Sequence, residues 1–259
     1  MGYFKLKKFQ LSPYLAAISA TAAIFAGVWI LDRSEQQRFW EYNRAHALNQ
    51  LSTVRSKLEG SLNARLFLMR GLVAYISNNP NITEAEFAAT AKIMLAKQSG
   101  IRNIALVKGT TIAYVYPREG NESALGVDLT AIPEQRQMVE EAIETRQTVL
   151  AGPVELLQDG IGFISRTPIF LTPAGETPET GVYWGLTGVV IDKNALLDEA
   201  GLRDSSSKLQ YAVRGKDGKG ASGEVFFGDR SIFCKSGAAG SNFAQRFLAV
   251  GSNSGRRVA

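Results

Sequence analysis

Charged residues set among apolar ones are the first place to look for chemistry in this chain. Arg166 is the single base in the apolar run Ile161–Phe170, and Asp128 is a single acid between Val127 and Leu129. Burying a guanidinium without a partner is costly, so Arg166 faces water, pairs with an acid or meets a ligand. Asp128 either caps the helix that follows or contacts a ligand. Gly152, Gly162, Gly185 and Gly188 lie in neighbouring apolar segments. Small residues on a sheet either let backbones approach or leave room for a bound molecule. This pattern belongs to a binding pocket. No GxSxG, HExxH or Walker lysine pattern occurs, and no GxGxxG opens a helix after a strand. The Gly215–Gly220 stretch has the wrong spacing for a phosphate loop and reads as a plain hairpin turn. One histidine (His46) and one cysteine (Cys234) exclude a multi-histidine metal site, a cysteine-based zinc site and an intramolecular disulfide. No cofactor or metal is expected, and the chain is read as non-enzymatic.

The net charge of +5 is unevenly placed. Residues 1–31 hold Lys5, Lys7 and Lys8 and no acid, and residues 230–259 hold five bases and no acid. Residues 32–229 carry 21 bases against 24 acids, a net of −3. A mildly acidic body lacks the basic patch that phosphate backbones require, so no nucleic-acid partner is expected. An apolar content of 45% supports a packed core.

The elements that must position Arg166 and Asp128 follow from periodicity. Pro13–Leu31 is uncharged over 19 residues and follows three lysines. As a helix it is about 28 Å long, close to the hydrocarbon thickness of a bilayer. It is expected to be a transmembrane anchor with a cytoplasmic N-terminus and the body on the other side, periplasmic or extracellular. Ala20-Thr21-Ala22 resembles a signal-peptide cleavage site, but the apolar run continues beyond it, which favours an uncleaved anchor. From Asp32 to Ser77 there is no proline, and Leu48, Leu51, Val54, Leu58, Leu62, Leu66, Met69, Val73 and Ile76 recur every three or four residues. That spacing predicts a long stalk helix over 32–77. Its half nearest the membrane is expected to pair with a second copy, making a homodimer, and Leu62–Ile76 to pack on the body.

Asn78-Asn79-Pro80 ends that helix, and Thr83 and Glu86 form a capping box for a helix from Glu84 to about Lys97. Strands are expected at Ile101–Val107 and Thr111–Tyr116, then a helix over Pro133–Arg146. Thr148–Phe170 should be a hairpin turning at Gln158-Asp159-Gly160, and Gly181–Asp192 a long strand. A short helix over Asn194–Ala200 and strands at Leu209–Arg214 and Glu224–Phe227 complete the series. There is no regular alternation of strand and helix, so the fold class is α+β, antiparallel sheets with helices beside them.

Several separated segments resemble one family in order. A long helix ending in RGLVAYISNN is followed by IRNIALV, GVDL, AIETRQTVLAGPVELLQDGIGFISRTPIF and GLTGVVIDKNALLDEAGL. Together they look like the CHASE domain, the extracellular sensory module of receptor histidine kinases and diguanylate cyclases, plant cytokinin receptors included. The resemblance covers roughly residues 32–230. It implies a stalk helix and two PAS-like antiparallel subdomains: a membrane-distal one over 78–192 that holds the ligand, and an incomplete membrane-proximal one over 193–233. In the cytokinin receptors an aspartate before a helix start bonds the ligand, and Asp128 is similarly placed. A leucine on the first hairpin strand lines that pocket, and Leu150 is the match. The hairpin, with Phe163 and Arg166, then forms a pocket wall. Arg166 is a departure from the plant pattern, and an anionic or carbonyl-bearing ligand is as reasonable as a cytokinin.

After Phe233 the chain departs from the family. Residues 234–259 are rich in Ser, Gly, Ala and Arg, are expected to lack structure, and suggest a reading-frame shift near Phe233. A second membrane helix and an output domain, which the family resemblance implies, do not follow. The reading is a membrane-anchored extracytoplasmic sensor of a small molecule without its output domain. The alternatives are an adaptor or structural module pairing through the long helix, or a secreted hydrolase whose residues escape recognition.

Overall fold

The computed structural model describes residues 12–156, 160–177, 179–204, 206, 209–235 and 249–254. The chain divides into two compact units, residues 1–49 and 50–259. Helix α1 (Ser12–Asn78) supplies all the described structure of the first unit and opens the second. Within the first unit Ile24, Phe25, Val28, Trp29, Ile30 and Leu31 are exposed. This part is long and apolar enough to cross a membrane by length and composition.

In the second unit α1 becomes a core helix. Val54, Leu58, Leu62, Met69, Leu72, Val73 and Ile76 are buried, so packing begins a turn or two before the expected Leu62. Helix α2 (Glu84–Leu95) starts from the expected capping box, with the Thr83 hydroxyl accepting from the Glu86 amide and the Glu86 carboxylate accepting from the Thr83 amide at 2.8 Å. A five-stranded antiparallel sheet follows, formed by β1 (Ile101–Lys108), β2 (Thr111–Tyr116), β3 (Val149–Glu155), β4 (Ile161–Phe170) and β5 (Tyr183–Asp192) in the order β2-β1-β5-β4-β3. Helix α3 (Pro133–Thr145) joins β2 to β3. Of the hairpin turn between β3 and β4, residues 157–159 lie outside the described residues.

Strand parity gives the sheet two different faces. Ile104, Leu106, Leu150, Phe163, Ile169, Val189 and Ile191 pack with the buried stripe of α1 and with Phe87 and Ala91 of α2. Ala105, Val107, Ile112 and Leu186 on the other face pack with Val139 and Ala142 of α3 and with Leu129. After α4 (Lys193–Glu199), a smaller sheet takes the order β7-β6-β8, from β6 (Leu209–Arg214), β7 (Val225–Phe227) and β8 (Ala249–Ser254), with α5 (Ser231–Lys235) between the last two. Tyr211 and Val213 extend the α1-side core into this second sheet.

Two expectations are corrected here. The Gly215–Gly220 stretch is not a plain hairpin turn: it forms short 3-10 turns at Lys216–Gly218 and Gly220–Ser222, and the Asp217 carboxylate accepts from the Gly152 amide on β3 at 3.0 Å. The tail is not without structure throughout, since Ala249–Ser254 pairs with the free edge of β6. An open strand edge offers backbone donors and acceptors to any extended segment, whatever its side chains. The rest of the tail lies outside the described residues.

Candidate functional site

Both faces of the large sheet bury polar groups, and on the α3 face these include Arg166 and Asn103. Register places Val149, Arg166, Gly188, Ala105 and Val115 side by side across β3, β4, β5, β1 and β2. Arg166 points into this row and is 5% exposed. Its neighbour Gly188 makes the space: a β-carbon there would stand 2.7 Å from Arg166 Nη1. The other three glycines singled out in the sequence serve close backbone approach instead. A β-carbon would meet a carbonyl oxygen at 2.7 Å for both Gly152 and Gly162, and at 2.0 Å for Gly185.

Among the described residues Arg166 has one hydrogen bond, from Nη2 to Oε1 of Gln135 on α3, at 2.8 Å. Its Nε is buried without a partner, and among the described residues it meets no carboxylate. Burial lowers its pKa from the ordinary arginine range to about 10, which leaves the guanidinium charged at neutral pH. The site is therefore a buried cation facing a neutral amide. One residue pair along β1, Asn103 lies on the same face and donates to Asn121 Oδ1 at 2.6 Å; Asn121 in turn donates to the Pro117 carbonyl at 2.9 Å. Both asparagines are buried.

The four residues expected to share a pocket are not brought together. Leu150 and Phe163 stand on the α1 face. Leu150 is opposite Ser165 in the register, and Phe163 packs edge-on against Phe226 of β7 at 5.5 Å. Both belong to the core. The physical reason is parity: positions 163 and 166 of one strand point to opposite sides, as do 149 and 150. Asp128 lies at the surface. Its carboxylate accepts from the Thr130 amide and hydroxyl at 3.0 and 2.8 Å, which caps the 3-10 turn Leu129–Ala131. The Thr130 hydroxyl, the Thr130 amide and the Thr110 hydroxyl hold it below the usual aspartate range. The capping alternative thus describes Asp128, while Arg166 neither faces water nor pairs with an acid among the described residues.

Gln135, Asn103 and Asn121 were missed. The signal for Gln135 was available: with Val139 and Ala142 it forms an i, i+4, i+7 stripe, so it is the polar member of the buried face of α3. A concavity of about 1360 Å³ is an open groove lined by α1 residues such as Asn63, Phe67 and Arg70 together with Arg146, Thr148 and Thr167. It does not include Arg166. A groove open to water places no demand on a ligand, whereas a buried charge without a counter-charge does.

Comparison with known proteins agrees with this architecture. Residues 107–227 match the family model of the CHASE domain. No match was found among curated proteins. Among solved structures, an extracellular ligand-binding receptor from Desulfohalobium retbaense is similar with a TM-score of 0.57 and 15% identity, over 72% of this chain and 31% of that one. This chain thus spans about a third of that receptor. The sensory domain of the Campylobacter jejuni chemoreceptor Tlp3 with isoleucine bound is similar with a TM-score of 0.55 and 14% identity, over 77% of this chain and 80% of that one. At these identities the likeness is one of fold, and the fold is that of extracellular sensory domains.

Proposed function

We propose that the chain is the extracytoplasmic ligand-binding part of a membrane-anchored receptor, and that it takes a small carboxylate-bearing molecule on the α3 face of the large sheet, at Arg166. The observation that carries this is a buried guanidinium with one neutral partner and no acid. A carboxylate matches the guanidinium fork in charge and geometry. The CHASE match and the sensory-domain fold support the sensor class. That Tlp3's domain is seen with isoleucine, itself a carboxylate, agrees with the chemistry of Arg166. Residues 13–31 would anchor the chain with its N-terminus in the cytoplasm. A second copy would pair along the exposed part of α1, where Phe39, Trp40 and Tyr42 face outward. Ligand binding would then shift the balance between two arrangements for an output domain to read. The proposed role is binding, not catalysis.

The test is thermal unfolding of the full chain in detergent against amino acids, small mono- and dicarboxylates and nucleobases. A ligand at 100 times its Kd stabilises by about 2.7 kcal/mol, roughly 5–10 °C for a domain of this size. A carboxylate should give that shift and Arg166→Gln should remove it. A carboxylate hit that Arg166→Gln leaves unchanged, or a response confined to nucleobases, overturns the assignment.

A further inference from the structure

We infer that Gln135 occupies the seat of the ligand's carboxylate and is displaced from it on binding, so that α3 is the element the ligand moves. The inference rests on the carboxylate reading of Arg166 and adds the position, the competitor and the consequence. In a guanidinium, Nε–H and one N–H of Nη2 point from the same edge, spaced for the two oxygens of a carboxylate. Of these two donor groups in Arg166, Nη2 is used and Nε is not. Gln135 Oε1 sits 2.8 Å from Nη2, while Nε on the same edge is buried with no partner. An amide has one oxygen and no charge, so it can satisfy one of the two donors and none of the cation. A carboxylate in the same place satisfies both.

The surroundings point the same way. Gln135 lies in the first turn of α3, whose N-terminus has no side-chain cap. A helix N-terminus carries partial positive charge, so α3 brings a second positive feature to the guanidinium. Glu134, in the same turn, is exposed and makes no ion pair with Arg166. Gln135 itself is half-buried, so the edge it covers is reached from solvent once its side chain swings away. Gly188 and Ala105 keep the β5 and β1 side of Arg166 free of bulk, while Val149 stands opposite it on β3.

The experiment compares the full chain in detergent with Gln135→Glu, Gln135→Ala, Arg166→Gln and the double variant Gln135→Glu/Arg166→Gln. The readout is thermal unfolding in sodium chloride and in sodium propionate of equal ionic strength, propionate being the minimal carboxylate probe. Gln135→Glu installs a tethered carboxylate. It should raise the midpoint by roughly 3–6 °C where Arg166 is present, give no rise in the double variant, and abolish the response to propionate. Gln135→Ala removes the competitor and should raise the apparent propionate affinity roughly 3- to 10-fold over the wild type. If Gln135→Glu gives no Arg166-dependent rise, or if it rises yet still responds to propionate as the wild type does, Gln135 does not hold the ligand's seat. A Gln135→Glu rise with no propionate response in the wild type or in Gln135→Ala overturns the carboxylate reading and this inference with it. That failure is distinct from the first, in which propionate acts and Gln135 is irrelevant to it.

Discussion

Replacing Arg166 and Gln135 together by apolar residues of similar length should stabilise the ligand-free protein. The fall in the Arg166 pKa from the ordinary arginine range to about 10 corresponds to about 3 kcal/mol of penalty on the charged form. This penalty is present at every pH below about 10, where folded and unfolded chains both carry the charge. It is relieved only as pH rises above about 10 toward the ordinary arginine value, where the unfolded chain binds the extra proton. Arg166→Met alone removes the penalty but strands the half-buried Gln135 carbonyl, at about 1–3 kcal/mol, so the single variant should be close to neutral. Arg166→Met/Gln135→Leu removes both groups, and exchanging both partners of a buried polar contact for apolar ones is neutral or stabilising. The double variant should gain about 1–3 kcal/mol, roughly 3–10 °C in the unfolding midpoint, and lose every response to carboxylates. The assay is thermal and urea unfolding of the full chain in detergent at pH 7. A double variant less stable than the wild type by more than about 1 kcal/mol would refute the reasoning, because Arg166 would then be a stabilising part of the core instead of a group retained for binding.

Other positions test the supporting structure. Gly188→Ala places a β-carbon 2.7 Å from Arg166 Nη1. Because the far end of a side chain can yield, stability should change by less than about 1.5 kcal/mol while titration shows at least a tenfold weaker carboxylate affinity. Asp217→Ala removes the acceptor for the Gly152 amide and puts alanine at φ +57. It should cost about 1–2 kcal/mol and speed hydrogen exchange in β3 more than in β1. Burial pushes Asp192 up, but the Ala195 amide and the Arg102 guanidinium outweigh it and hold the carboxyl below the usual range. Its contribution is complete above the unfolded aspartate pKa near 4 and is lost as pH falls through the lower folded value. The acid limb of the stability curve should therefore flatten in Asp192→Asn.

Much of the scaffold was legible because each element carries a local signal. The capping box at Thr83 and Glu86, the proline after Asn79, and the apolar run of β4 all act within a few residues, and the structure places elements there. The site was less legible because it depends on which strand lies beside which. Nothing near Gly188 in sequence says that it stands next to Arg166; that follows from the antiparallel pairing of β4 with β5. Parity was legible and would have separated Phe163 from Arg166, since three steps along one strand reverse the face. Asp128 misled because an acid before a helix start serves equally as a cap and as a ligand contact. Only the Thr130 amide and hydroxyl on its carboxylate decide between them.

A charge buried without a counter-charge also sets how strongly a ligand can act. A ligand shifts a conformational balance only by its differential affinity for the two states. If Gln135 covers the guanidinium edge in one state and leaves it in the other, the uncovered state is the one that accepts a carboxylate with both Nε and Nη2. Burial weighs against the charged form of Arg166, and a carboxylate on both donors would relieve that cost in the uncovered state, which sets the direction of the bias. This bias requires no large ligand and few apolar contacts, which fits a face where Gly188 and Ala105 follow Arg166 on one side, with Val149 on the other. Gln135 is also the residue through which such a bias would leave the site. It sits in the first turn of α3, and the C-terminal end of the same helix, with Glu141 and Thr145, borders the crevice where Asp217 and Gly218, from the connection between β6 and β7, meet β3. A shift of α3 that frees Arg166 therefore bears directly on the junction between the two sheets.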